Sequence, residues 1–152
     1  MNQTQHRNIT VSFKGKRFFC EVSNLNEMND FGREFTKHLK GGDVIALSGA
    51  LGSGKTAFVK ALAKGLGIRS CVTSPTFVVM NVYPISRKKH HASALCHIDA
   101  YRIHSARELY MLGAHEYIGN PEVITAIEWP ERVKGSISKD ALWVRISSGA
   151  KR

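Results

Sequence analysis

The stretch Gly49-Ala50-Leu51-Gly52-Ser53-Gly54-Lys55-Thr56 constrains this chain more than any other, because it fits G-x-x-x-x-G-K-[ST]. It is entered from the apolar, β-branched run "DVIALSG" and left through "KTAFVKALAKG", which is helical in composition and ends on a glycine. Strand, glycine loop and helix in that order form a phosphate cradle. A backbone that turns its N–H groups inward around an anion passes through conformations that side chains obstruct, hence the glycines. The new helix contributes free N–H groups and the positive end of its dipole. Lys55 is placed to reach β- and γ-phosphates, and the Thr56 hydroxyl to ligate Mg²⁺.

The rest of the chain supplies layers around this strand. "ITVSFKGKRFFCEVS" alternates polar and apolar residues about Lys14-Gly15 and predicts an N-terminal hairpin or extended arm over residues 1–22. A helix follows, capped by Ser23 or Asn24, with Leu25, Met28, Phe31, Phe35 and Leu39 on one face and an end at Gly41-Gly42. After the cradle come four more apolar runs: "TFVVMNVY", expected as a strand from Phe77, then "ALCHID", "VITAIEW" and "ALWVRIS". Between the middle two, Ser105 and Glu108 have capping-box spacing in "SARELYML". Strands interleaved with helices predict an α/β fold, a three-layer sandwich of the P-loop NTPase type with a central, mostly parallel sheet and flanking helices. With 152 residues, one such domain is expected, its core spanning 23–147.

Composition removes several classes. No apolar run approaches the roughly 18 residues that cross a bilayer, and "MNQTQHRNIT" lacks the apolar centre of a signal peptide, so a cytoplasmic protein is expected. Cys20, Cys71 and Cys96 are odd in number, far apart and without a C-x-x-C pair, which suits buried free thiols. The net charge of +10 admits a nucleic-acid or acidic-protein partner. Only "SRKKHH", Ser86 to His91, concentrates it, and no RRM, KH or zinc-finger pattern accompanies it.

A phosphate-bound Mg²⁺ usually needs a carboxylate from the end of a neighbouring strand. "ALCHID" ends in Asp99 and "VITAIE" in Glu128, and spacing does not decide which lies nearer the metal. No N-K-x-D element for guanine is present, which favours ATP over GTP. Ser74-Pro75-Thr76 is either a switch whose hydroxyl approaches the γ-phosphate or a turn before a strand. Trp129 either covers the site or fills the core. Cys96-His97 and His90-His91 match no zinc spacing, and His97 reads as an ordinary strand histidine.

Taken together, "GALGSGKT", "VTSPTF", "HIDAYRI" and "AIEWPER" resemble, in order and separation, the bacterial TsaE (YjeE) family of small P-loop ATPases. The likeness spans Gly49 to Arg132 and extends through the preceding helix to about Ser23. It implies a Mg-dependent ATPase, weak alone and stimulated in a complex, that works with TsaB and TsaD in forming N6-threonylcarbamoyladenosine beside the tRNA anticodon. Carried over, Leu51, Gly52, Ser53, Gly54, Lys55 and Thr56 hold the phosphates, and Thr56 and Glu128 ligate Mg²⁺. Asp99 positions water or links to the metal, Thr76 is the switch threonine, and Trp129 stands beside the metal-linked glutamate. Asn24 and Leu25 lie where the family meets the base side of the nucleotide. Two positions depart from the family pattern: Ala50, where many members are acidic, and Ser53, where many have alanine.

Two other functions share parts of this evidence. A small-molecule kinase would use the same cradle but usually needs an arginine-rich lid, whereas "SRKKHH" has one arginine. A basic RNA-binding module would use the loop only to grip an anion, and its binding would fall steeply with salt.

Overall fold

A computed structural model describes residues 6–75, 77–86 and 91–149. Thr76 and the centre of the basic Ser86–His91 segment lie outside the described residues. Seven strands form one sheet: β1 (Arg7–Phe13), β2 (Lys16–Val22), β3 (Val44–Ser48), β4 (Met80–Pro84), β5 (Ala94–Asp99), β6 (Val123–Glu128) and β7 (Leu142–Ser148). Their order across the sheet is β2-β1-β7-β3-β6-β5-β4. The four central strands β7, β3, β6 and β5 run parallel, and the pairs toward either edge are antiparallel. All six residues of β6 are buried, because a strand covered on both faces needs an unbroken apolar run rather than alternation.

Helices α1 (Leu25–Thr36) and α2 (Lys55–Gly65) pack together on one face of the sheet. Phe31, Phe35 and Phe58 meet there with ring centroids 5.5–5.9 Å apart. These helices share a core with Ile45, Leu47, Ile124, Ala126, Val144 and Ile146. The short helix α3 (Ala106–Met111) and single 3₁₀ turns at Ala114–Glu116 and Pro130–Arg132 cover the other face, where Val44, Cys96, Ile98, Val123 and Ile127 are buried. This is the expected three-layer arrangement. No described helix is long and apolar enough to cross a membrane.

Local chemistry settled one boundary and moved two. Asn24, not Ser23, caps α1 through a 2.9 Å bond from the Glu27 N–H, and the Glu27 carboxylate reaches back to the Ser23 N–H at 2.7 Å. The helix stops at Thr36 instead of running to Gly41-Gly42. The amides of Lys37, His38 and Leu39 bond carbonyls three residues back, which tightens the chain into turns that still bury Leu39. Leu25 sits in the first turn of α1 but is 48% exposed, outside the buried face. The expected strand at Phe77 begins instead at Met80: Phe77 and Val78 stand in a turn, exposed, and Val79 takes φ 65°. The N-terminal segment is a hairpin and not a loose arm, since β1 also pairs with β7 along its length.

Candidate functional site

The parallel register sets Leu47, Glu128 and Asp99 side by side at the C-terminal ends of the central strands. The chain leaves β3 there into the glycine loop, so the strand ends deliver their side chains directly to the start of α2. Gly49 passes close to β7: a Cβ on it would lie 2.4 Å from the Ile146 carbonyl oxygen and 2.6 Å from Ser53 Oγ. Gly54 caps α2 at φ 111° with no side-chain acceptor on the first amides, which leaves those donors open toward the loop.

Lys55 is buried and folds back over this loop, its ammonium donating to the carbonyls of Gly49 at 2.7 Å and Ala50 at 3.0 Å. The same ammonium stands 4.4 Å from the centre of the Trp129 ring. Burial lowers the Lys55 pKa, and the charges of Glu128, Asp99 and Glu131 pull it partly back. Trp129 owes its place to a left-handed backbone, φ 58° and ψ 49°, costly for a bulky residue and held by the 3₁₀ turn that follows. Its ring also meets Tyr101 at 5.1 Å, and Arg132 lies 5.4 Å above Tyr101.

Thr56 and Glu128 come from elements 72 residues apart, and the Thr56 hydroxyl donates to Glu128 Oε1 at 3.0 Å. Asp99 lies one strand further out. Its carboxylate accepts the Tyr101 N–H at 3.0 Å and approaches Ser74 Oγ at 3.5 Å. Of the two acids that spacing left unresolved, Glu128 is therefore the one joined to Thr56, and Asp99 is joined to the segment leading to Thr76. Asn24 and Leu25 belong to the first turn of α1, and Met28 of that helix reaches toward Gly54. Leu51 is 80% exposed at the loop tip.

Two residues join this group that motif reasoning did not pick. His97 is fully buried with Nε2 3.2 Å from Glu128 Oε1. Strand alternation could have found it, since His97 lies two residues before Asp99 on the same face of β5. Arg7 donates to the Gly52 carbonyl at 3.1 Å and to Ser148 Oγ at 2.9 Å. No local signal announces it, because the contact to the loop is made across 45 residues.

The residues present suit a phosphate and a divalent ion. Ser53 Oγ is buried with no hydrogen-bond partner among the described residues, on the wall of the loop that leads into the first turn of α2. Thr56 and Glu128 pair two hard oxygen donors of the kind Mg²⁺ prefers.

Comparison with known proteins identifies the family. The family model described as threonylcarbamoyl adenosine biosynthesis protein TsaE matches residues 22–152. The chain belongs to the TsaE family. It is 39% identical over 123 residues to the tRNA threonylcarbamoyladenosine biosynthesis protein TsaE of Borreliella burgdorferi, covering 81% of this chain and 85% of that one. The protein of the same name from Aquifex aeolicus is 46% identical over 103 residues, covering 66% and 68% of the two chains. Among solved structures, Bacillus subtilis YdiB superposes with a TM-score of 0.68 at 26% identity, covering 97% of this chain and 80% of that one.

Proposed function

We propose that this chain is the ATP-hydrolysing component of tRNA N6-threonylcarbamoyladenosine formation, working in the cytoplasm with TsaB and TsaD. The observation that carries the catalytic part is the joining of Thr56 to Glu128 beside Lys55 at the start of α2. The relatives' names carry the pathway.

In this reading the backbone of Leu51 to Gly54, with the Ser53 hydroxyl and the first amides of α2, receives the phosphates. Lys55 exchanges its bonds to the Gly49 and Ala50 carbonyls for β- and γ-phosphate oxygens. Thr56 and Glu128 would hold Mg²⁺, which when bound would supply positive charge beside the phosphates. His97 fixes the orientation of Glu128, and Asp99 aligns water or the Ser74–Thr76 segment. Trp129 limits how far the Lys55 ammonium can swing, and Asn24 and Leu25 border the base.

ATP hydrolysis should be slow alone, faster with TsaB and TsaD, and lost in Lys55→Ala and Glu128→Ala. A reconstituted assay of multi-turnover tRNA modification checks the role. Sustained modification without this chain would refute it, as would saturable phosphate transfer from ATP to a metabolite.

A further inference from the structure

Ile9 and Val11 of β1 face the α1/α2 layer together with Val22, Val144 and Ile146. The alternate residues of β2, β1 and β7 therefore look out from the opposite face. Strand pairing sets them in cross-strand rows, Arg17–Ser12–Trp143 and Phe19–Thr10–Arg145. Phe19 is 79% exposed, Arg17 and Arg145 are exposed, and Ser12, Thr10 and Trp143 are half-buried. Adjacent strands are about 4.8 Å apart, so the Phe19 and Arg145 positions stand roughly 10 Å from each other across β1.

From this placement we propose that the outer face of β2-β1-β7 binds an unpaired stretch of RNA. Phe19 gives an open flat surface on which a base stacks, Trp143, packed in part against the core beneath α3, gives a partial one beside it, and two arginines alternate with them to meet phosphates. Lys14 and Lys16 at the hairpin turn extend the positive charge, and Glu21 is the acid in the next row. That balance suits a polyanion better than an apolar peptide. A duplex keeps its bases stacked inside, so only an unpaired strand uses Phe19. The choice of RNA over DNA rests on the tRNA-modification reading; the platform itself does not. It lies on the sheet face opposite α2, so it is separable by mutation from Lys55 and Thr56.

The test is fluorescence anisotropy of the full chain with a labelled 12-nucleotide single-stranded RNA, alongside the same DNA sequence and a duplex RNA. The single-stranded RNA is expected to bind most tightly, with an affinity that falls as salt rises. Phe19→Ala should weaken it about tenfold, a stacking loss of the usual size for one base. Phe19→Trp should restore binding, and Phe18→Ala, on the other face of β2, should leave it unchanged. Arg145→Ala should reduce the salt slope by about one.

Unaltered circular dichroism and Mg-ATP binding in these variants show that fold and cradle are intact. Equal affinity in Phe19→Ala, or equal binding of the duplex, would overturn the proposal. So would displacement of the RNA by polyglutamate at matched charge, or by self-association along the β2 edge. Tighter binding of the DNA would overturn the choice of RNA. Failure of the unaltered chain to bind the single-stranded RNA, with its ATPase stimulation by TsaB and TsaD retained, would refute the platform alone.

Discussion

Glu128 Oε1 receives two contacts, the Thr56 hydroxyl at 3.0 Å and His97 Nε2 at 3.2 Å, in a place where the carboxylate is almost fully buried. Replacing it by glutamine keeps the shape and one acceptor oxygen but removes the charge a metal would use. Glu128→Gln should therefore melt close to the native chain while Mg-ATP hydrolysis is abolished, measurable by thermal denaturation beside a phosphate-release assay. Gly49 is intolerant for a different reason. Its φ of 152° and the 2.4 Å approach to the Ile146 carbonyl leave no room for a Cβ, and backbone is what it would strike. Gly49→Ala should cost at least about 2 kcal/mol. Gly52, whose added Cβ would meet nothing within 4 Å, should cost only about 1 kcal/mol from its left-handed φ of 75°. Urea denaturation of both variants separates crowding from strain.

At the scale of elements, the contact between α1 and α2 positions the cradle from behind. Gly32 is the point of closest approach: a Cβ there would lie 2.5 Å from Ala61 Cβ and 2.8 Å from the Ala61 carbonyl carbon. Alanine would gain about 1 kcal/mol of helix propensity, yet it would force apart two helices whose facing surfaces include the Phe31, Phe35 and Phe58 rings. Overpacking of that kind costs about 1–3 kcal/mol, so Gly32→Ala should be net destabilising, against the ordinary trend for exposed helix glycines. Asn24→Ala removes only the cap bond to Glu27 and should cost about 1 kcal/mol. Equilibrium unfolding of the two variants gives the order directly.

For the whole molecule, the three thiols report how tightly the layers close. Of the thiols expected to be buried, only Cys96 is, within β5, where burial pushes its pKa up to about 12; Cys20 is half-buried and Cys71, in a connecting segment between α2 and β4, is exposed. Under native conditions Cys71 should react with an alkylating reagent first, and Cys96 only after global opening, as followed by mass spectrometry. The raised pKa also has a sign for stability. The unfolded thiol ionises near 8.5 and the folded one near 12, so its contribution is complete below about pH 8.5 and is lost as pH rises toward 12. Across that window the native chain should lose stability faster than Cys96→Ala, by at most about 1.4 kcal/mol per pH unit.

What was legible in the sequence is what local chemistry decides. The glycine spacing after an apolar strand marked Gly49 to Thr56, the continuous apolar runs marked the covered strands, and α2 falls on the expected residues, Lys55–Gly65. Boundaries were legible only where a single cap or break sets them. The end of α1 at Thr36 depends on carbonyl bonding in its last turn, and the late start of β4 on a left-handed Val79. Spacing left open which acid joins Thr56, and beyond the family resemblance only the tertiary structure gives the reason: inserting β6 between β3 and β5 brings Glu128 beside Leu47 and leaves Asp99 one strand away. It also brought Arg7 to the Gly52 carbonyl and left Phe19 facing outward. Motifs record the shape a chain must take around a phosphate, but strand order, which sums contacts between residues far apart in the chain, determines which of its side chains meet there.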